Sequence, residues 1–155
     1  MKNPKTNSRF NESGQGFVIL IILLVLIGGG LWYLYSHKQK VDKEARAFGR
    51  EMIQRLVVNH DFQFFTDHLS PQARLDMPPS QQQFLIQQMT EAGVPAEPIK
   101  IDENIMWQSH FFEPQGFFTA DLNYPAGQGK IELAIDHPVS RWQVVNVTYS
   151  KPRTR

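Results

Sequence analysis

Residues 118–135 read FTADLNYPAGQGKIELAI, and two runs of strict alternation flank the turn-forming segment PAGQG at 125–129. Phe118, Ala120, Leu122 and Tyr124 share one side of the first run, and Ile131, Leu133 and Ile135 share one side of the second. A period of two with one apolar side predicts a half-buried strand, and a Pro/Gly-rich break between two such runs predicts antiparallel pairing. Upstream, Ile99, Ile101, Ile105, Trp107 and Phe111 lie on one face of a further strand that Glu103 interrupts; downstream, HPVS at 137–140 turns into RWQVVNVTY at 141–149. The expectation is a four-stranded antiparallel meander.

Ahead of it the period is helical. Val41, Ala45, Phe48, Met52 and Leu56 recur at steps of three and four, predicting a helix over about 41–60 with Lys43, Arg46, Arg50 and Arg55 mostly off the apolar stripe. Asp61 can cap a short helix in DFQFFTDHLS that Pro71 would end. Ser80 followed by Gln83 has the form of a capping box, Phe84, Leu85, Ile86 and Met89 supply a buried side, and Gly93 with Pro95 marks the exit. Three helices on one side of a meander make an α+β domain.

The chain has 155 residues, 16 Lys+Arg, 15 Asp+Glu and no cysteine. Near balance of charge argues against nucleic-acid binding through bulk basicity, and the missing thiols exclude disulfides, thiolate nucleophiles and Cys-based zinc sites. The mean hydropathy of −0.36 hides two unlike pieces. Residues 17–35 read FVILIILLVLIGGGLWYLY, with no charge over a length that nearly spans a hydrocarbon core of ~30 Å. This predicts a transmembrane helix with Trp32, Tyr33 and Tyr35 at a headgroup layer. A cleaved signal peptide is the competing reading, but the apolar run continues past the small residues at 28–30. Basic residues flank both ends, so orientation rests on the shortness of the 1–16 arm, which favours a cytoplasmic N-terminus. A linker at 36–40, an α+β domain at 41–150 and a frayed tail at 151–155 complete the expected organisation. Residues 37–155 carry 13 Lys+Arg against 14 Asp+Glu, a net −1 that implies neither an acidic nor a basic partner.

The order of helix, short helix DFQFFTDHLSP, capped helix ending in Gly, then a meander closing with Trp142, Val144, Val147 and Tyr149, resembles the nuclear transport factor 2-like fold over residues 41–150. The resemblance implies a curved sheet wrapped around the first helix as a cone, and membrane-tethered domains of this kind serve as assembly components of secretion machinery. At the N-terminus, GQGFVILIILLVLI at 14–27 is similar to type IV pilins and pseudopilins cut after the Gly, with Ile21 where those proteins carry Glu.

Enzymes on this fold place a carboxylate or His inside the cone, and on strict alternation Glu103 and Tyr124, with Trp107 on the same strand face, are the candidates for a ligand pocket. The turn-like Asp102-Glu103-Asn104 composition argues instead for a bulge with the Glu103 carboxylate in water, and no catalytic residue is assigned. His60, Asp61, Asp67 and His68 match no zinc spacing; no Ser-His-Asp elbow, phosphate loop or dinucleotide fingerprint occurs, so neither metal nor cofactor is expected. The adjacent aromatic pairs 111–112 and 117–118 put one ring of each pair on the outer sheet face. Phe112 and Phe117, joined by Val145 and Val147, are the candidate partner or self-association surface. The expected role is a non-enzymatic, membrane-anchored interaction or scaffold domain, with a small apolar ligand, an isomerase-like activity or a pilin-like subunit as alternatives.

Overall fold

The computed structural model describes residues 12–109, 112–138 and 141–152, with the side chains of 12–15, 109 and 112 outside the description. Among them run α1 (Glu12–Val57), α2 (Phe62–Asp67), α3 (Pro71–Asp76), α4 (Pro79–Ala92), β1 (Lys100–Ser109), β2 (Phe112–Tyr124), β3 (Gly127–Asp136) and β4 (Gln143–Ser150). The chain divides into two compact units, Met1–His37 and Lys38–Arg155.

The first unit holds the N-terminal part of α1. It is apolar and exposed all round, from Phe17 through Leu26 to Trp32, which makes it a candidate membrane span. Residues 36–40, expected as a linker, are helical.

The second unit is α+β. Its sheet is an antiparallel meander in the order β1-β2-β3-β4, as the alternation predicts. Phe118, Ala120, Leu122 and Tyr124 of β2, with Ile131, Leu133 and Ile135 of β3, form its buried face. Val41, Ala45, Met52, Ile53, Leu56 and Val57 of α1 complete the same core with Phe65 of α2. Gly49 permits this approach, because a Cβ there would overlap the ring of Phe118. α1 ends at Val57, and three residues on His60 takes a left-handed φ of 52° that a continuing helix could not hold.

Four elements depart from expectation, each for a local reason. Pro71 begins a helix instead of only ending one: Ser70 Oγ accepts from Ala73 N at 3.0 Å and the proline occupies the first turn, where its missing N–H costs nothing. The helix count is therefore four among the described residues, against three expected. The Ser80–Gln83 box is not the start of α4, which begins at Pro79 behind Pro78, while Gln82 Nε2 donates to Met77 O at 2.8 Å. Phe84 is consequently 62% exposed, and Met89 is the buried residue of this helix.

β1 is not interrupted at Glu103, which pairs with Phe118 in unbroken register. In β4, by contrast, Ile135 pairs with Val144 and Ala134 with Asn146, so Val145 is an inserted bulge residue. The free edge of β4 at this point is taken by the segment before α3: Val144 N donates to His68 O at 2.7 Å and Ser70 N to Val144 O at 2.8 Å, a parallel bridge at Leu69.

Candidate functional site

α1 and β1 run in opposite senses and meet along a polar seam. Asp42, Arg46 and Arg50 recur at intervals of four on α1, and four residues return nearly to the same helix face. Glu103 and Trp107 are also four apart, an even number, and so share one side of β1. Trp107 Nε1 donates to Asp42 Oδ1 at 2.9 Å, and Lys38 Nζ stands 5.5 Å from the centre of the Trp107 ring. Arg46 Nη1 donates to Glu103 Oε2 at 3.3 Å and Arg50 Nε donates to Glu103 Oε1. The hydrogen bond to Glu103 raises the Arg50 guanidinium above its ordinary value, with the carboxylate charge adding to it.

The Glu103 side chain is 6% exposed, whereas those of Arg46 and Arg50 are 47% and 63% exposed. Its carboxylate is thus inside the seam, not in water as the turn-like composition predicts. A general base has to reach a substrate proton. Glu103 has both oxygens committed to guanidinium groups, and the cluster of two arginines and one glutamate keeps one net positive charge on its exposed side.

Next to the seam lies a groove of about 290 Å³. Ile53 and Gln54 of α1 with Val58 just beyond its end line it on one side and Ile99 and Ile101 on the other. Because the two elements are antiparallel, Arg50 stands at the end nearest Glu103, and Glu97 with Pro98 at the far end.

Tyr124 does not join this site. Trp107 pairs with Pro114, ten positions before Tyr124 on β2, which is about 33 Å at ~3.3 Å per residue. Tyr124 instead lies beside Tyr149; burial pushes both phenols up, Tyr124 well above the usual range with the neighbouring Tyr149 hydroxyl adding to it, and among the described residues neither hydroxyl has a hydrogen bond of good geometry.

The outer sheet face carries Phe117, 42% exposed, between Asn104 of β1 and Ala134 of β3. It borders a depression of about 280 Å³ shared with Thr119, Glu132, Asn146 and Thr148, so its surroundings are largely polar. Val147 is a correction: the bulge at Val145 shifts the alternation by one, and Val147 turns into the core at 6% exposure. Val145 is half-buried at the bulge. The Phe112 side chain, His110 and Phe111 lie outside the described residues.

Of the four residues considered for metal, His68 and Asp61 are engaged elsewhere, whereas His60 has its Nε2 buried without a partner among the described residues. His68 Nδ1 contacts Phe64 O at 2.7 Å with its ring against Phe48 and Phe64, and Asp61 caps Phe64 N and pairs with Arg55. No cluster of three potential metal ligands occurs among the described residues. On the hairpin end of the sheet, Asp136 has one carboxylate oxygen buried without a partner among the described residues; burial raises its carboxyl, against the opposing pull of Gln143 and His137.

Asp42, Arg46 and Arg50 were not singled out by sequence reasoning. Their four-residue spacing was the available signal, but nothing local names a strand more than fifty residues away as the partner. Comparison with protein-family models, curated proteins and solved structures returns no match.

Proposed function

We propose that the chain is a single-pass, membrane-anchored interaction or scaffold protein, non-enzymatic, whose α+β domain is a nuclear transport factor 2-like module held on the outer side of a bacterial inner membrane. The observation that carries the non-enzymatic reading is Glu103: the carboxylate on the inward side of β1 is neutralised by Arg46 and Arg50, and α1 packs its apolar residues into one core with the sheet's buried face. The outer sheet face is accessible, and Phe117 at its middle is an exposed aromatic anchor there. The apolar stretch of α1 supports the membrane assignment.

A photo-crosslinking amino acid at position 117, activated in native membranes, tests the scaffold reading. A discrete adduct, to a second copy or to one other protein, is expected; a pattern matching that of a probe at exposed Leu75 would refute it. A C-terminal alkaline phosphatase fusion is expected to be active in bacteria, and an inactive fusion reverses the orientation.

A further inference from the structure

We infer that the groove between α1 and β1 binds a small amphiphilic monoanion, an apolar body of a few carbons carrying one carboxylate, with that carboxylate at Arg50. The inference goes beyond the scaffold reading and stands independently of it.

The groove has the size and lining of a small-ligand site. Its roughly 290 Å³ lies at the lower end of ligand pockets, about 300–1,000 Å³, which suits a compact body. Val58, Ile99 and Ile101, each partly exposed, supply apolar walls, with the buried Ile53 behind them. The polar groups are asymmetric. Arg50 gives Nε to Glu103 and has no other acceptor among the described residues, so both terminal amino groups of its planar fork remain for a ligand. Two parallel N–H donors fit a carboxylate better than a hydroxyl, and the surplus positive charge of the Arg46–Glu103–Arg50 cluster favours an anion at that end. At the opposite end Glu97 is exposed and has no ion-pair partner among the described residues. About eight helical residues, ~12 Å, separate the two ends along α1. A second anionic group on the ligand would meet Glu97, so a dicarboxylate of equal length is rejected.

The experiment uses the full chain in nanodiscs of zwitterionic lipid, with labelled isoleucine methyls and three probes: hexanoate, 1-hexanol and the dicarboxylate adipate. Saturable shifts at Ile53, Ile99 and Ile101 are expected with hexanoate, at least about tenfold weaker with hexanol and with adipate. Arg50→Gln is expected to lower hexanoate affinity about tenfold and leave hexanol unchanged, while the core methyls of Ile131 and Ile135 keep their positions. No saturation at the groove methyls, equal affinity for hexanoate and hexanol, or unchanged hexanoate affinity in a folded Arg50→Gln chain overturns the assignment. Should Arg50→Gln disturb Ile131 and Ile135, the three-probe series on the unsubstituted chain decides alone.

Discussion

Gly49 on α1 lies directly against the ring of Phe118 on β2, so closely that any Cβ at position 49 would occupy the volume of that ring. A glycine inside a helix gives up about 1 kcal/mol of propensity relative to Ala, and here the exchange is close packing of helix on sheet. Gly49→Ala should therefore destabilise by about 1–3 kcal/mol despite its better propensity, and Gly49→Val by more. Combining Gly49→Ala with Phe118→Leu should cost less than the two single changes added together. Urea denaturation of the four proteins measures the coupling, and additive losses would show that the two residues do not constrain each other.

Tyr124→Phe should leave stability unchanged or raise it slightly. The hydroxyl is buried beside that of Tyr149 with no hydrogen bond of good geometry among the described residues, so its removal relieves a desolvation cost and forfeits little in return. A loss above about 1 kcal/mol in thermal unfolding would reveal a hydrogen bond in solution.

Asp136 supplies a pH dependence with a definite sign. Burial raises its folded-state pKa above the ordinary 3.8, so its contribution to stability is greatest below that value and declines as pH rises through the folded-state value. Asp136→Asn, which mimics the protonated form, should melt higher than the parent at pH 7. The advantage should shrink on acidification and vanish below about 3.8. A constant offset at all pH values would place the effect in packing instead of ionisation.

Phe117→Ser should weaken assembly in mild detergent or abolish the position-117 crosslink without lowering the unfolding midpoint appreciably, since the ring is already 42% exposed. Cross-linked complexes recovered at parental yield from Phe117→Ser membranes would remove the outer face from consideration.

The meander was readable because Phe118 to Tyr124 and Ile131 to Ile135 alternate without exception, and a buried face imposes that pattern on any strand. Val147 was misplaced because a single inserted residue reverses the alternation and leaves no compositional mark. Pro71 was ambiguous by nature, since the same ring that ends one helix suits the first turn of the next. Glu103 illustrates the limit for the candidate site. Its neighbours Asp102 and Asn104 indicate a turn, whereas its environment is set by Arg46 and Arg50, 57 and 53 positions away. Gly49 bears no local mark for a similar reason: its necessity comes from a ring on β2.

The bridge between Leu69 and Val144 has a bearing on the order in which the domain assembles. Tyr124 and Gly127, which open the β2–β3 hairpin, are three positions apart; Leu69 and Val144 are 75 apart. Under a logarithmic closure penalty, bringing the second pair together costs about 3 kcal/mol more chain entropy than the first. The hairpins, with their short contact order, are favoured to form early, whereas fastening 68–70 to the last strand closes a far longer loop. The entropy difference favours that fastening as a late event, and a chain halted before it would present a bare β4 edge to other unfinished chains.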